Sequence, residues 1–335
     1  MTIGAFIAGC EGTSLSASEV KFIERTNPWG LILFGRNVET PQQITSLTSH
    51  FRKITTRPDA PVLIDQEGGR VQRLGPPVWR KYPSANRYSQ LYDNDPLLAL
   101  KQIRLITRLM AQDLHDIGIN VDCLPVLDVP QPGAHQIIGD RAYGVTPERV
   151  SVLARAAVTG LMQGGVLGVI KHIPGHGRAM SDSHLSLPQV DTSYDELLHS
   201  DFLPFAALSD MPMAMTAHVV YSAIDPDNPA TMSKTVINDI IRQGIAYNGL
   251  VMTDDLSMKA LSGDFADRAA RAIAAGCDIT LHCNGNMREV EAVAEGSGAL
   301  SGESLVRAKA ALDCCLEPQP FDQNEAEQAL KDRVL

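Results

Sequence analysis

The sequence predicts an α/β fold built as a single (β/α)8 TIM-type barrel, and three observations carry that prediction. Short apolar runs alternate with amphipathic helical stretches along the chain. Several of the runs end in polar or charged residues, as strands do when they open onto the active face of a barrel. The rival, a doubly wound open sheet, lacks support, because GCEGTSLS after the first run does not carry the glycine spacing of a phosphate fingerprint.

The first run, 4–9, alternates small and large apolar residues and reads as a buried strand. The run at 30–34 follows, and that at 61–65 finishes in Asp65-Gln66-Glu67. The run 120–128 ends in Asp128, 167–172 in Lys171-His172, and 214–219 holds His218. The run 249–253 leads into Asp254-Asp255, and 278–282 into His282-Cys283-Asn284. Helical periodicity lies between them at 41–53, 96–117, 147–163, 194–209, 233–243 and 266–275. Ser233 is the expected N-cap of its helix, and Gly276 the stop of the last. No Pro/Gly/Ser linker divides the chain, so one domain is expected over 1–335. Its polar end, from about 318, reads as a solvated helical tail or a partly mobile end.

Bulk properties exclude some functions. A net charge of −10 argues against a nucleic-acid partner, since phosphate binding needs a basic face. No segment approaches the roughly 18 apolar residues of a membrane span. Ile7-Ala8-Gly9-Cys10 resembles the end of a lipoprotein signal, but no Lys or Arg precedes it and the apolar run is too short. The six cysteines form no CxxC pair and read as free thiols in a reducing compartment. A cytoplasmic protein, expected as a monomer, follows.

The strand ends suggest chemistry. Adjacent side chains on an extended strand point opposite ways, so one of Asp254 and Asp255 faces the barrel axis. Asp254 is taken as the reactive group and Asp255 as capping or supporting. In KHIPGHGRAMSDSH, residues 171–184, the glycines and Pro174 open a long loop. Asp182 and His184 are two apart, so in an extended segment they lie on one side and form a general acid/base pair. The loop glycines would let that pair move. His172, His176, His184 and Asp182 do not follow HExxH or another compact zinc pattern, and Lys171 would repel an ion, so neither metal nor cofactor is expected. Asp65 with Arg73 suits a vicinal diol, and Arg141 in IIGDRAYG is a second candidate sugar-binding cation.

Taken together, KHIPGHGRAMSDSH, LIDQEGGRVQRL, GDRAYG, AMTAHVVY and GLVMTDDLSM resemble the family 3 glycoside hydrolases. More narrowly, they are similar to the bacterial single-domain β-N-acetylhexosaminidases of peptidoglycan recycling. Ile173 and Thr253 stand where the family often has Phe and Ser. The resemblance implies Asp254 as nucleophile of a covalent glycosyl-enzyme and His184 as acid/base with Asp182 as its partner. It implies that Asp65, Arg73, Arg141, Lys171 and His172 hold an N-acetylglucosamine ring. The implied substrate is a small carbohydrate or muropeptide ending in 1,6-anhydro-N-acetylmuramic acid. Three alternatives stay open: phosphate instead of water as acceptor, a non-catalytic sugar-binding barrel, and a metal-dependent hydrolase using His172, His176 and His184.

Overall fold

A strand buried on both faces must alternate between two apolar environments. In the computed structural model, which describes residues 2–180 and 187–334, eight strands close into one parallel barrel. They are β1 (Gly4–Gly9), β2 (Pro28–Leu33), β3 (Val62–Ile64), β4 (Val121–Asp122), β5 (Leu167–Ile173), β6 (Met213–Thr216), β7 (Leu250–Asp255) and β8 (Ile279–His282). Neighbours in the ring are neighbours in sequence, and β1 closes on β8 with Phe6 beside Thr280 and Ala8 beside His282. Leu63, Leu167 and Val169, Leu250 and Met252, and Ile279 and Leu281 belong to an interior core to which all eight strands contribute. Their alternate neighbours Val62, Ile64, Ile170 and Val251 pack outward against the helices. Leu300, Ala308 and Ala311, beside or on the helix Gly302–Asp313, join the interior core and cover its lower end.

That lower end is pinned electrostatically. Asp278, buried just before β8, accepts from Val251 N–H at 2.9 Å, Arg242 Nη2 at 2.7 Å, Ser304 Oγ at 2.8 Å and Arg307 Nη1 at 3.0 Å. These four donors satisfy both oxygens of a carboxylate that burial removes from water.

The expected strands are present, several of them shorter than their apolar runs. The run 120–128 is a regular strand only over Val121–Asp122, with an isolated bridge from Val126 to Lys171 beyond it, because Pro125 has no N–H for the ladder. The helix Pro147–Gln163 spans its expected bounds. The stretch 194–209 forms two short helices, Tyr194–Leu198 and Leu203–Ala207. Pro204 cannot donate to the carbonyl of Ser200, and its ring would clash there. The stretch 233–243 is π-wound over Val236–Gly244, with Ser233 Oγ accepting from Val236 N–H at 3.1 Å. Helices Ala17–Thr26, Ala85–Asn94, Met287–Ser297 and Gly302–Asp313 add to those expected.

The polar end is helical over Gln323–Val334 but docked rather than solvated. Ala326, Ala329 and Leu330 form an i, i+3, i+4 stripe buried on the helix Pro96–His115. Glu327 reaches Arg80 at 2.7 Å, and Glu325 reaches Lys101 at 2.7 Å. Among the described residues, no helix is long and apolar enough to cross a membrane.

Candidate active site

Leu63, Val169 and Met252 point into the barrel, and two residues further along the same chain directions stand Asp65, Lys171 and Asp254. Strand alternation carries Lys171 inward in unbroken register, and the ends of β3 and β7 bring Asp65 and Asp254 to the same C-terminal mouth.

Lys171 is buried and anchors a charge cluster. Its Nζ lies 2.9 Å from Asp65 Oδ1 and 2.7 Å from Glu67 Oε1. Arg73 Nη2 reaches Asp65 Oδ2 at 3.0 Å. Arg141 grips Glu67 with two parallel bonds, both 2.8 Å, from Nε and Nη2. Three cations and two carboxylates thus alternate as Arg73–Asp65–Lys171–Glu67–Arg141. The local fold explains the placement. Gln66–Gly68 pairs antiparallel with Val71–Gln72 through a turn in which Gly68 and Gly69 have φ of 88° and 58°. A Cβ on Gly68 would also sit 2.3 Å from the Pro83 carbonyl, so only glycine fits that turn. Gln66 Oε1 then accepts from the N–H groups of Arg73 and Leu74, both at 3.0 Å, and fixes the loop that carries Arg73.

Burial alone would raise the Asp65 and Glu67 carboxyl groups. For Asp65 the fields of Lys171 and Arg73 outweigh it and hold the group well below the usual carboxylate range. For Glu67, Arg141 and Lys171 hold it at about 2. The same attraction overcomes burial at Lys171 and keeps its ammonium charged far above neutrality.

His172, the next residue, turns to a different anion. Its Nδ1 lies 2.7 Å from Oδ2 of Asp128, which is fully buried and also accepts from His176 N–H at 2.6 Å. Burial pushes Asp128 up, but His172, its hydrogen bond and His176 bring it to about 2. His176 is buried beside His172, and desolvation with that neighbour lowers it to about 4, so it is neutral near pH 7.

All three carboxylates have folded-state values below their unfolded ones. The unfolded chain therefore binds more protons as pH falls, so the stability they contribute is present above the unfolded values and lost on acidification. Thermal unfolding temperature is expected to fall progressively from roughly pH 5 towards pH 2. A midpoint that stays flat between about pH 5 and pH 3 would contradict the charged cluster.

Asp254 and Asp255 face different partners, at a register shift of β7 against β8 between Met252 and Asp255. Asp254 Oδ1 accepts from Asp255 N–H at 2.7 Å, and its charge acts on both His176 and His218. Asp255 instead accepts from Ser257 N–H and Cys283 N–H, both at 3.0 Å, and ties the mouth of β7 to that of β8. His218 is buried behind them, with Nε2 at 3.1 Å from the Asp255 carbonyl.

Asp182 and His184 lie outside the described residues. The chain leading towards them is closely packed at its glycines. A Cβ on Gly177 would sit 2.0 Å from the Val129 carbonyl, and one on Gly175 would sit 3.0 Å from Asp201 Cβ. Both glycines permit close packing of the backbone. Arg178 adds to this with 2.7 Å and 2.9 Å ion pairs to Asp201 and Glu196.

Of the sequence-predicted residues, Asp65, Arg73, Arg141 and Lys171 are joined in one cluster through Glu67. His172 adjoins it on β5, and Asp254 stands at the mouth of β7. Sequence reasoning missed Glu67, Asp128 and His176 as members of the site. Asp128 stood at the end of an apolar run, and Glu67 stood in DQEGGR, so both were visible as residues but not as partners.

Known proteins resemble this chain in sequence and in fold. The glycosyl hydrolase family 3 N-terminal domain matches residues 8–310. A β-hexosaminidase of Alkalilimnicola ehrlichii is 40% identical over 288 residues, 85% of this chain and 82% of that protein. One from Methylococcus capsulatus is 41% identical over 277 residues, 82% of this chain and 80% of that protein. The crystal structure of NagZ from Neisseria gonorrhoeae in complex with N-trifluoroacetyl-D-glucosamine superposes with a TM-score of 0.90 at 31% identity, covering 100% of this chain and 99% of that one.

Proposed function

The chain belongs to glycosyl hydrolase family 3, and from that footing we propose that it is a retaining exo-β-N-acetylglucosaminidase working on small peptidoglycan fragments. The observation that carries this reading is the gathering of Asp254, Asp65 and Lys171 at one barrel mouth, with Lys171 Nζ 2.9 Å from Asp65 Oδ1 and the Asp254 charge acting on His176 and His218. A retaining glycosidase needs a nucleophile below the sugar and an acid beside the glycosidic oxygen. Asp254 is the proposed nucleophile. Its carboxylate oxygen bonds to the anomeric carbon as the glycosidic C–O bond breaks, and the leaving oxygen takes a proton from His184. A water then returns its proton to His184 while its oxygen displaces Asp254. Asp182 supports the imidazolium formed between proton transfers.

Asp65 and Arg73 are partly exposed, and they would accept from and donate to neighbouring sugar hydroxyls. Two of the three Lys171 hydrogens face Asp65 and Glu67, leaving one donor for the sugar. Arg141 and His172 would complete the grip on the ring. The proposed substrate is N-acetylglucosamine β-linked to 1,6-anhydro-N-acetylmuramic acid, with or without peptide. The proposed setting is the cytoplasm, which suits six free cysteines, and the proposed working form is a monomer.

Turnover of an aryl β-N-acetylglucosaminide and of that disaccharide, with and without phosphate, tests the reading. Free N-acetylglucosamine in both conditions is expected. A sugar phosphate would make the enzyme a phosphorylase, and binding without turnover would make it a sugar-binding barrel. His184→Ala is expected to lower kcat by about 10²–10⁴ on the disaccharide, and far less on a substrate with an activated aryl leaving group. Equal losses on both would remove the acid role.

A further inference from the structure

Asp128 touches no position from which it could reach sugar, yet the site is arranged around it. It is fully buried, and its carboxylate accepts from His172 Nδ1 at 2.7 Å, His172 N–H at 3.2 Å and His176 N–H at 2.6 Å. The segment that carries it runs alongside the end of β5. Leu127 N–H bonds to the Lys171 carbonyl at 2.6 Å, Lys171 N–H to the Pro125 carbonyl at 3.1 Å, and Gln131 N–H to the Gly177 carbonyl at 3.1 Å. One carboxylate thereby serves both the ring of His172 and the backbone four residues later, at His176.

An ionised carboxylate has no proton to give. The partner atom, His172 Nδ1, must therefore carry one, and Nε2 is left at the far edge of a ring whose side chain is 9% exposed while Asp128 is sealed at 0%. We infer that Asp128 is a positioning residue: it fixes His172 as the Nδ1-protonated form and so presents Nε2 to the sugar. This deepens the glycosidase reading and rests on it for the identity of the ligand. The Nδ1 proton itself does not depend on what the pocket binds.

Asparagine at position 128 is the informative change. Its oxygen still accepts from His176 N–H, while its amide N–H₂ faces Nδ1 and demands an acceptor there. The His172 proton should move to Nε2, which reverses the polarity of the edge presented to the sugar. In ¹⁵N-histidine spectra the wild type is expected to show His172 protonated at Nδ1, and Asp128→Asn to show it protonated at Nε2. With an aryl β-N-acetylglucosaminide, Asp128→Asn is expected to lower kcat/KM about 10- to 100-fold, mainly through KM. In a His172→Ala background the same change is expected to cost less than about threefold.

A wild-type His172 without a proton on Nδ1 would overturn the inference even if the variant fails to fold. So would a loss in kcat/KM equal in both backgrounds, since a purely structural carboxylate acts whether or not His172 is present. If the wild type neither binds N-acetylglucosamine by calorimetry nor turns over, the glycosidase reading fails instead, and the ring proton still reports on Asp128.

Discussion

Asp254→Asn is expected to lower kcat on the disaccharide by a factor on the order of 10⁴ or more, with N-acetylglucosamine affinity changed by less than about threefold. The substitution is close to isosteric. Asparagine Oδ1 can keep accepting from Asp255 N–H, the 2.7 Å contact that holds the Asp254 side chain, so β7 should end as before. What disappears is the anion that attacks the anomeric carbon, and an amide oxygen is a far poorer nucleophile. A 2-fluoro slow substrate should add the mass of one sugar to wild-type protein on the peptide containing Asp254, and nothing to the variant. Asp255→Asn supplies the contrast. It weakens contacts to Ser257 and Cys283 rather than the attack, so it should lower stability and leave a labelled Asp254. Near-normal turnover by Asp254→Asn, or label on another residue, would sink the nucleophile assignment.

The opposed directions of Asp254 and Asp255 were legible in the sequence, because neighbouring side chains on an extended strand alternate. Which of the two faces the barrel axis was not, because the register of β7 against β8 shifts between Met252 and Asp255, and Asp255 stands beside Leu281. Period does carry Lys171, which follows Val169 in unbroken register against β6. Local signals also existed where helices were not foreseen. Ser16 and Glu19 spell a capping box, and in the structure Ser16 N–H donates to Glu19 Oε2 at 2.7 Å while Ser16 Oγ accepts from Glu19 N–H at 3.3 Å.

Glu67 and Asp128 were of another kind. Glu67 acquires its meaning from Arg141, 74 residues away, and only after a glycine turn folds its hairpin back over the barrel mouth. Asp128 acquires its own from His172, 44 residues away, across a segment that pairs with β5 by isolated bonds rather than as a strand. No local period records such a meeting. The glycines of KHIPGHGRAMSDSH are silent for a related reason: their sequence signal, freedom of φ, is the same whether they serve a hinge or the close approaches that Gly177 makes to Val129 and Gly175 to Asp201.

Lys171→Met is expected to destabilise the protein by about 3–5 kcal/mol at neutral pH and to raise KM for N-acetylglucosaminides at least about tenfold. Methionine fills much of the volume, so the loss comes from charge rather than from a void. Lys171 separates Asp65 from Glu67, with its Nζ at 2.9 Å and 2.7 Å from them. Without it two carboxylates face one another, each with one remaining arginine, Arg73 or Arg141. Their affinity for protons must rise, because the field that held both low has lost its central cation. The variant should therefore lose less stability than wild type as pH falls from about 5 towards 3, and the gap between their unfolding temperatures should narrow. Neutralising one carboxylate tests the cause directly. Glu67→Gln alone breaks the buried pair and destabilises, yet added to Lys171→Met it removes the repulsion, so the double variant should be more stable than the sum of the single changes by at least about 1 kcal/mol. Additive losses, with no narrowing in acid, would mean that Lys171 serves the fold by its packing alone. The raised KM should persist in the double variant if Lys171 holds the sugar as proposed, since restoring electrostatic balance does not restore its third ammonium hydrogen.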